Sequence, residues 1–323
     1  MSIRPYCANI EITGVCNYKC AHCFDAGKKE GDMPLDTFEK IFKNLRRENI
    51  LFFNIIGGEP LLHKNWRTIA YYLNKAKVCF SISTNGSLLD ENKVKYLKAS
   101  GVNHVKLSID GSKKIHNAIR RNSQAFDKLL NAASLLKKFE IPFAFQMTLL
   151  DTNYKYIEDT CKIAEKLGAS AIRINFYKNF TNPKNSKAVL RGNTLRKIIE
   201  KLESLSEASE KKSNFKIGFE NSLVISGNSK SLCGAGTNKI QIRPDGSVYP
   251  CRYLPINLGN LRENKLSEIL KHPFLKELES MHKKVKNGCE KCINNTKCRG
   301  GCPAFIYYAY GNLSKKDPRC WRK

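Results

Sequence analysis

The sequence predicts an α/β fold, an open (β/α)6 partial barrel followed by a smaller cysteine-rich domain, on three observations. Over residues 6–177, six short β-branched segments alternate with amphipathic helical segments, which is typical of parallel strands joined by helices. The alternation stops after Tyr177, and seven of the thirteen cysteines lie in residues 233–320. Six units are too few to close an eight-stranded barrel, so we expect an open one.

The predicted strands and helices alternate strictly along the first half of the chain. The strands are expected at residues 6–13, 51–56, 77–84, 102–110, 143–150 and 170–177. The first five lead into helices at residues 35–50, 65–76, 90–100, 124–139 and 154–168. Right-handed crossovers between parallel strands then place the ligands at the carboxyl ends of the strands.

The rest of the chain divides into a connection and a second domain. Residues 178–193 are polar, with Pro, Gly and four Asn, and a helix is expected at residues 194–212. Beyond Cys233, the sequence predicts short hairpins, one of them with an Asp-Gly turn at residues 245–246. We therefore predict a barrel core at 1–177, a linker with a bridging helix at 178–232 and a cysteine-rich domain at 233–323.

Composition sets limits on location and class. With 41% apolar residues in 323, the chain can bury a large core, and no apolar run has the length of a membrane span. The N-terminus has no apolar segment of signal-peptide length, so we expect a protein of the reducing cytoplasm. In that compartment, thirteen clustered cysteines indicate metal ligands rather than disulfides.

The charge balance is strongly basic, with 56 Lys and Arg against 29 Asp and Glu, a net charge of +27. Such a charge favours an anionic partner. The lysines are spread over nearly every predicted helix, however, without the interleaved aromatic residues of a nucleic-acid platform. We therefore interpret most of them as solvated helix faces and expect no nucleic-acid partner and no membrane partner.

Three cysteines, Cys16, Cys20 and Cys23, lie within eight positions after the first strand. A structural zinc or a fully ligated iron–sulfur cluster takes four protein ligands, whereas three leave one iron open to a small molecule. The spacing Cys-x3-Cys-x2-Cys and its place in the chain resemble the defining motif of the radical SAM superfamily. The resemblance implies a [4Fe–4S] cluster whose open iron binds S-adenosylmethionine (SAM), which one electron cleaves to methionine and a 5′-deoxyadenosyl radical.

The resemblance also implies a set of SAM contacts. The segment Gly-Gly-Glu-Pro after the second strand is similar to the family's segment for the SAM amino group, and paired glycines allow close backbone approach. Polar residues at the ends of the third and fourth strands resemble those that bind ribose and carboxylate, and an arginine in HNAIRRN resembles the carboxylate partner. For the last candidate below, an ordinary core position is the alternative to an adenine contact. The candidates are His22, Gly57, Gly58, Glu59, Pro60, Ser83, Asn85, Ser108, Asp110, Arg120 and Ile174.

The C-terminal cysteines resemble the seven-cysteine SPASM extension of radical SAM enzymes. Their pattern is Cys233-x12-Gly246-x4-Cys251, then Cys289-x2-Cys292-x5-Cys298-x3-Cys302, and finally Cys320. The resemblance implies two auxiliary [4Fe–4S] clusters and hence three clusters in all. It assigns the outer cluster to Cys289, Cys292, Cys298 and Cys320, and the inner cluster to Cys233, Cys251 and Cys302. A zinc ribbon at residues 289–302 is the alternative.

Two departures from sulfatase-maturing relatives matter. Those relatives have a further cysteine near the position of Lys239 and an aspartate base where this chain has Arg252. We therefore predict an inner cluster with an open iron and a reaction other than sulfatase maturation. The remaining cysteines, Cys7, Cys79 and Cys161, are expected to be small buried apolar residues, with a hydrogen-donor role as the alternative.

Auxiliary clusters accept electrons, so the pattern favours a net two-electron oxidation. We expect cross-linking or dehydrogenation of a peptide, with flavodoxin or ferredoxin as reductant. The cysteine motif begins too early for an N-terminal leader-binding domain, so a separate leader-peptide-binding protein is expected. Dehydrogenation or epimerisation of a sugar, an aminocyclitol or a peptide residue is the alternative, and RNA modification is a third class without a visible RNA-binding domain.

Overall fold

One mixed sheet runs through both the barrel and the cysteine-rich region. The computed structural model describes residues 5–24, 31–178, 180, 188–212, 214–219, 223, 233–281 and 288–322. Its strands are β1 (Cys7–Thr13), β2 (Phe52–Gly57), β3 (Cys79–Thr84), β4 (His104–Ser108), β5 (Phe143–Leu149), β6 (Ala171–Phe176), β7 (Lys216–Phe219), β8 (Lys239–Ile242), β9 (Ser247–Tyr249) and β10 (Gly259–Asn260). Their order across the sheet is β10-β9-β8-β1-β2-β3-β4-β5-β6-β7.

The predicted fold class is confirmed. The six expected strands are β1 to β6, and all their neighbouring pairs are parallel. In the part of the chain that the structure describes, the sheet ends at β7 and β10 and does not close. β7, which pairs parallel with β6, is not predicted from the sequence, because four residues with a glycine among them are too few to display a period of two.

Helices follow most of these strands along the chain. They are α1 (Leu35–Arg47), α2 (Trp66–Lys75), α3 (Glu91–Ala99), α4 (Lys113–Arg120), α5 (Ala125–Lys138), α6 (Ile157–Lys166), α7 (Gly192–Lys212), α8 (Leu266–Ile269), α9 (Pro273–Met281), α10 (Asn295–Cys298) and α11 (Pro303–Tyr310). α4 is not predicted from the sequence, because its eight residues contain two isoleucines as their only large apolar side chains. Within the described ranges, no helix is both long enough and apolar enough to cross a membrane.

The two faces of the sheet differ in polarity because side chains alternate along each strand. On β1, Ala8, Ile10 and Ile12 are fully buried in the apolar core under the helices, while Asn9 and Glu11 point to the opposite side. Residues paired in register share a face, so this opposite side can be followed from strand to strand. We call it the inner face, and its polar residues include Cys7, Asn9, Glu11, Asn54, Cys79, Ser81, Ser83, His104, Lys106, Ser108, Gln146, Arg173, Asn175, Lys239 and Gln241.

The cysteine-rich region joins the barrel through a strand. The predicted hairpin is formed by β8 and β9, which pair antiparallel around the Asp-Gly turn, and Gly246 has the positive φ of 88° that this turn requires. β8 pairs parallel with β1, from Cys7 opposite Lys239 to Ile10 opposite Ile242. The domain limits 1–177, 178–232 and 233–323 stay a prediction. One sheet includes strands from all three segments, because β7 pairs with β6 and β8 pairs with β1.

Candidate functional site

The three clustered cysteines lie in the loop that follows β1, which we call the cysteine loop (residues 14–24). Backbone hydrogen bonds fasten this loop at two places. The Glu59 N–H donates to the Val15 carbonyl (2.8 Å), and the Ala21 N–H donates to the Ile119 carbonyl (2.8 Å). The ends of β2 and α4 therefore position the cysteines from both sides.

The glycine pair after β2 is required by close backbone packing against the cysteine loop. A Cβ on Gly57 would lie 2.3 Å from the Thr13 carbonyl oxygen, and a Cβ on Gly58 would lie 2.2 Å from the Val15 carbonyl oxygen. Gly57 also has a φ of +154°. The backbone of Thr13, Gly14 and Val15 therefore accounts for the glycine pair, and contacts of Gly57 and Gly58 with SAM stay a prediction.

Glu59 ties the end of β2 to the end of β3. Its fully buried carboxylate accepts hydrogen bonds from the Thr84 hydroxyl (2.7 Å), the Asn85 N–H (2.8 Å) and the Leu61 N–H (3.2 Å). Burial raises the pKa of Glu59, while these hydrogen bonds lower it. The neighbouring Pro60 starts a short 3-10 turn. Contacts of Glu59 and Pro60 with SAM stay a prediction, and the described role of Glu59 is to hold this corner of the sheet.

A polar network links β3 to the cysteine loop. Asn85 donates to the Asn17 side-chain oxygen (2.9 Å), and the Asn17 amide donates to the Ser87 hydroxyl (2.8 Å). Neither Asn17 nor Ser87 stands out in the sequence, because single polar residues in a loop are common. Ser83 and Ser108 lie partly exposed on the inner face near the strand ends, where a role in SAM binding stays a prediction.

Asp110 is the centre of a buried charge cluster beside the cysteine loop. The Arg120 Nε donates to its Oδ2 (2.6 Å), His22 Nε2 lies 3.5 Å from its Oδ1, and its backbone N–H donates to His116 Nδ1 (3.2 Å). Arg120 also points Nη1 towards the Cys20 sulfur (3.7 Å). The geometry favours an indirect role for Asp110, because its carboxylate is fully buried and already holds Arg120 and His22 in place.

The electrostatics of this cluster keep Asp110 ionised. Burial opposes the charge, but Arg120 and then His22 outweigh it and hold the pKa of Asp110 well below its usual range. Burial, with Arg120 and His22 adding to it, lowers the pKa of His116 to about 4 despite the opposing effect of Asp110. His116 is therefore a neutral acceptor for the Asp110 N–H at neutral pH.

Ile174 lies on the side of the sheet opposite to the inner face. Its side chain is fully buried in the core, and it alternates along β6 with Arg173 and Asn175, which point to the inner face. The structure thus contradicts a side-chain contact between Ile174 and adenine and supports the ordinary core position.

The donor set of the cysteine loop fits an iron–sulfur cluster. Burial raises the pKa of the Cys16 thiol, and nearby Glu59, Cys20 and Cys23 raise it further. Burial likewise raises the pKa of Cys20, against the lowering effect of Arg120. The three thiols thus lie within electrostatic reach of one another, and binding iron would release their protons.

Electrostatic effects on the C-terminal thiols indicate which of them are neighbours. Burial raises the pKa of Cys251 to about 11, with Cys233 adding to it. Burial, Cys292 and Cys320 together raise the pKa of Cys289. These electrostatic effects indicate that Cys233 lies near Cys251, and that Cys289 lies near Cys292 and Cys320. The assignment of each cysteine to an inner or an outer cluster stays a prediction.

Cys302 lies at the start of α11 in a tightly held corner. Its N–H donates to Asp317 Oδ2 (3.0 Å), and Asp317 forms a buried ion pair with Arg319 (2.7 Å). The Arg319 guanidinium lies 3.7 Å from the ring centroid of Phe305. Among the described residues, no three His, Cys, Asp or Glu side chains are placed to hold a single metal ion. The zinc ribbon at residues 289–302 stays an alternative.

Aromatic and charged contacts join the cysteine loop to the C-terminal region. The ring of Phe24 lies 5.0 Å from that of Tyr253, edge to face. Arg252, in the place of the aspartate base, lies 3.5 Å from Glu11 and donates to the Gly57 carbonyl (3.3 Å). The two cysteine-bearing regions therefore meet beside the end of β2.

The other cysteines differ in environment. Cys161 is buried in the core, where burial raises its pKa to about 12, as expected for an apolar thiol. Cys79 is exposed and Cys7 is partly buried, so the prediction of a buried position is wrong for Cys79. Both belong to the inner face, because side chains alternate along their strands and Cys7 and Cys79 pair in register with the same residue of β2.

Comparison with known protein families gives two matches. Residues 10–164 match the radical SAM superfamily, and residues 233–293 match the iron–sulfur cluster-binding domain named SPASM. The AdoMet-dependent heme synthase of Methanosarcina barkeri is 27% identical over 99% of this chain and 97% of that protein. AlbA, the antilisterial bacteriocin subtilosin biosynthesis protein of Bacillus subtilis, is 26% identical over 92% of this chain and 67% of that protein.

A solved structure supports the fold. The structure of anSMEcpe with bound AdoMet and a Kp18Cys peptide superposes with a TM-score of 0.81 at 23% identity, covering 98% of this chain and 94% of that one. The chain belongs to the radical SAM superfamily. Within the superfamily it is an enzyme of the SPASM type, and its cofactors are iron–sulfur clusters and SAM, as predicted from the cysteine spacing.

Proposed function

We propose that this enzyme is an oxidoreductase that removes two electrons from a peptide, by cross-linking or by dehydrogenation. The observation that carries the proposal is the second set of cysteines: seven lie in residues 233–320, and residues 233–293 match an iron–sulfur cluster-binding domain. Two sets of thiolates beyond the cysteine loop suit two auxiliary clusters. An oxidation needs an acceptor for the second electron, whereas a reaction that returns a hydrogen atom to the substrate does not.

The chain's own residues prepare the first site. Cys16, Cys20 and Cys23 would hold the first [4Fe–4S] cluster, and Asp110 fixes Arg120 beside Cys20. When bound, this cluster supplies the electron that cleaves SAM to methionine and a 5′-deoxyadenosyl radical, and the auxiliary clusters take up the electron that the substrate releases. The outer set would be Cys289, Cys292, Cys298 and Cys320, and the inner set Cys233, Cys251 and Cys302.

Peptide as substrate is supported by two of the relatives. AlbA takes part in bacteriocin biosynthesis, and anSMEcpe is seen with a peptide. Arg252, which lies 3.5 Å from Glu11, stands where sulfatase-maturing relatives have an aspartate base, and this supports a reaction other than sulfatase maturation. We further propose flavodoxin or ferredoxin as reductant, a separate leader-peptide-binding protein, and a cytoplasmic location in keeping with thirteen cysteines.

A second candidate function is a step in heme synthesis. It is favoured by the heme synthase relative, which this chain matches over 97% of that protein's length. This candidate also uses radical chemistry, but on a small molecule.

The test is a reaction under anaerobic conditions with SAM, a reductant and a precursor peptide encoded beside the gene. We expect a product lighter by two hydrogen atoms, one of which appears in 5′-deoxyadenosine while the other leaves as a proton with its electron going to the protein. Cys320→Ala should lose product but keep some SAM cleavage, and the control Cys79→Ala should keep both.

A product of unchanged mass that gains one solvent deuterium at the reacting carbon would contradict the oxidation. The enzyme would then be an epimerase, and Cys7 and Cys79 on the inner face would be the hydrogen donors to replace first. Turnover of a heme precursor with no reaction on peptides would instead favour the second candidate.

A further inference from the structure

The inner face of the sheet carries three cations without an anionic partner. Lys106 lies on β4, Arg173 on β6 and Lys239 on β8. None of the three forms an ion pair within the described part of the chain, and Lys106 Nζ donates to the neutral side chain of Asn54 (2.7 Å). An ammonium group has three donors, so Lys106 has donors to spare for a ligand.

The same face is almost devoid of negative charge. In the described strands, its one carboxylate is Glu11, which is 5% exposed and lies 3.5 Å from Arg252. Glu11 is separated from Lys106 by two strands, β2 and β3. The positive charge of the inner face is therefore uncompensated.

Arg173, two strands from Lys106, and Lys239, four strands from it, are near enough for their charges to act on Lys106. Burial lowers the pKa of Lys106, and Arg173 and Lys239 lower it further, while Cys7 acts in the opposite direction. Like charges gathered on a partly buried surface repel one another, and such clusters are costly unless an anion is bound between them. Their arrangement resembles a binding site more than a set of solvated side chains.

A buried amide on the same face lacks hydrogen-bond partners. Gln241 is 1% exposed, and neither its Oε1 nor its Nε2 has a partner among the described residues. It pairs in register with Asn9, whose side-chain oxygen accepts from Asn54 (2.8 Å). Buried amides are normally hydrogen-bonded, so Gln241 offers a donor and an acceptor beside the network that holds Lys106.

Small side chains leave room between the cations. Ala144 of β5 lies in register with Lys106, and Ala171 of β6 lies in register with Ala144. Two methyl side chains in this row keep the inner face low beside both cations, since Arg173 lies two residues beyond Ala171 on β6, in register with Gln146, and is exposed. A ligand group can therefore approach both cations from the same side.

We propose that the inner face binds a carboxylate-bearing part of the substrate, with Lys106 and Arg173 as its charge partners, Lys239 adding to the field and Gln241 hydrogen-bonding a neighbouring polar group. The proposal rests on the proposed function only in that the ligand is the enzyme's substrate. The carboxylate would be an acidic side chain of a peptide or an acid group of a small molecule. These residues are substrate-binding residues and take no part in cleaving SAM.

The test measures binding to the reconstituted enzyme with SAM bound, by calorimetry without reductant. The probes are acetyl-Glu-Glu-amide with its neutral isostere acetyl-Gln-Gln-amide, and glutarate with glutaramide. We expect the acidic member of at least one pair to bind more tightly than its amide. Lys106→Met and Arg173→Gln should each weaken that binding about tenfold or more, as for a lost charged hydrogen bond, whereas the exposed control Lys276→Gln should change it less than about twofold.

The outcomes separate this proposal from the proposed function. Preference for the peptide probe identifies an acidic peptide, and preference for glutarate identifies a small acid. Equal binding of acids and amides overturns the proposal, as does an equal loss in Lys276→Gln, or full binding by both Lys106→Met and Arg173→Gln with unchanged iron content. Binding that depends on Lys106 in an enzyme that leaves peptides unreacted keeps this proposal and rejects only the peptide oxidation.

Discussion

Replacing Gly58 by alanine is expected to displace the cysteine loop and to remove the first cluster while leaving the auxiliary clusters in place. The added Cβ would lie 2.2 Å from the Val15 carbonyl oxygen, 2.5 Å from the Val15 carbonyl carbon and 2.8 Å from the Gly14 carbonyl oxygen. All three atoms belong to the backbone, so a change of rotamer cannot relieve the contact. The loop would have to retreat by about 1 Å to reach ordinary contact distances.

The cost follows from the bonds that this retreat would break. The Gly58 N–H donates to the Thr13 carbonyl (2.8 Å) and the Glu59 N–H donates to the Val15 carbonyl (2.8 Å). Each bond contributes roughly 0.5–1.5 kcal/mol net, and overpacking of this kind adds about 1–3 kcal/mol. The local destabilisation is therefore about 2–6 kcal/mol, enough to leave the cysteine loop detached for most of the time.

The assay compares iron content and SAM cleavage after anaerobic reconstitution. Three clusters correspond to about twelve iron per chain, and Gly58→Ala should hold about eight and form no 5′-deoxyadenosine. Gly31→Ala is the matched control, because Gly31 lies beside the same loop and an added Cβ there would meet nothing within 4 Å.

Wild-type iron content and SAM cleavage in Gly58→Ala would refute the reasoning, because the cysteine loop would then be positioned without its packing on the glycine pair. A loss of all iron would also contradict it, since the auxiliary sites would depend on this contact as well.

Two further predictions concern the cysteine loop and its neighbouring charge cluster. Replacing Cys16, Cys20 and Cys23 together by alanine should leave about eight iron and abolish SAM cleavage, and persistent 5′-deoxyadenosine in that variant would contradict the assignment. Because the pKa of His116 is lowered to about 4 in the folded state, the unfolded state binds more protons below its ordinary pKa of about 6.5, and stability should fall as the pH drops from there to about 4, by about 3 kcal/mol at most. Denaturant unfolding of His116→Asn, which keeps an acceptor for the Asp110 N–H, should show a flatter pH profile, and an unchanged profile would contradict this role for His116.

Much of the fold followed from the sequence because its signals are local. The alternation of strands and helices is repeated six times, and each repeat carries its own apolar period. The exceptions are equally local in origin. β7 is too short to display a period, and α4 has too few apolar residues to stand out, although its C-terminal end positions Arg120.

The parts of the site that are defined by spacing in the sequence could be predicted. The parts that depend on contacts between residues far apart in the chain could not. Cys16, Cys20 and Cys23 could be read as one group because they are close in the chain. The packing of Gly58 on Val15, the pairing of Asp110 with Arg120 and the core position of Ile174 depend on which strand end meets which loop. Asn17 gave no signal, because one asparagine in a polar loop is unremarkable until Asn85 is found 2.9 Å away.

Because β1 pairs with β8, the sheet is completed by a segment that is synthesised long after β1. β1 starts at Cys7 and its second neighbour starts at Lys239, so during synthesis one edge of β1 has no partner until most of the chain has left the ribosome. Exposed edges of apolar strands invite pairing with other chains, and contacts between such distant segments form slowly. A chain shortened before residue 239 would therefore lack more than its auxiliary clusters, because the strand that carries the first cluster's loop would be left with an open edge.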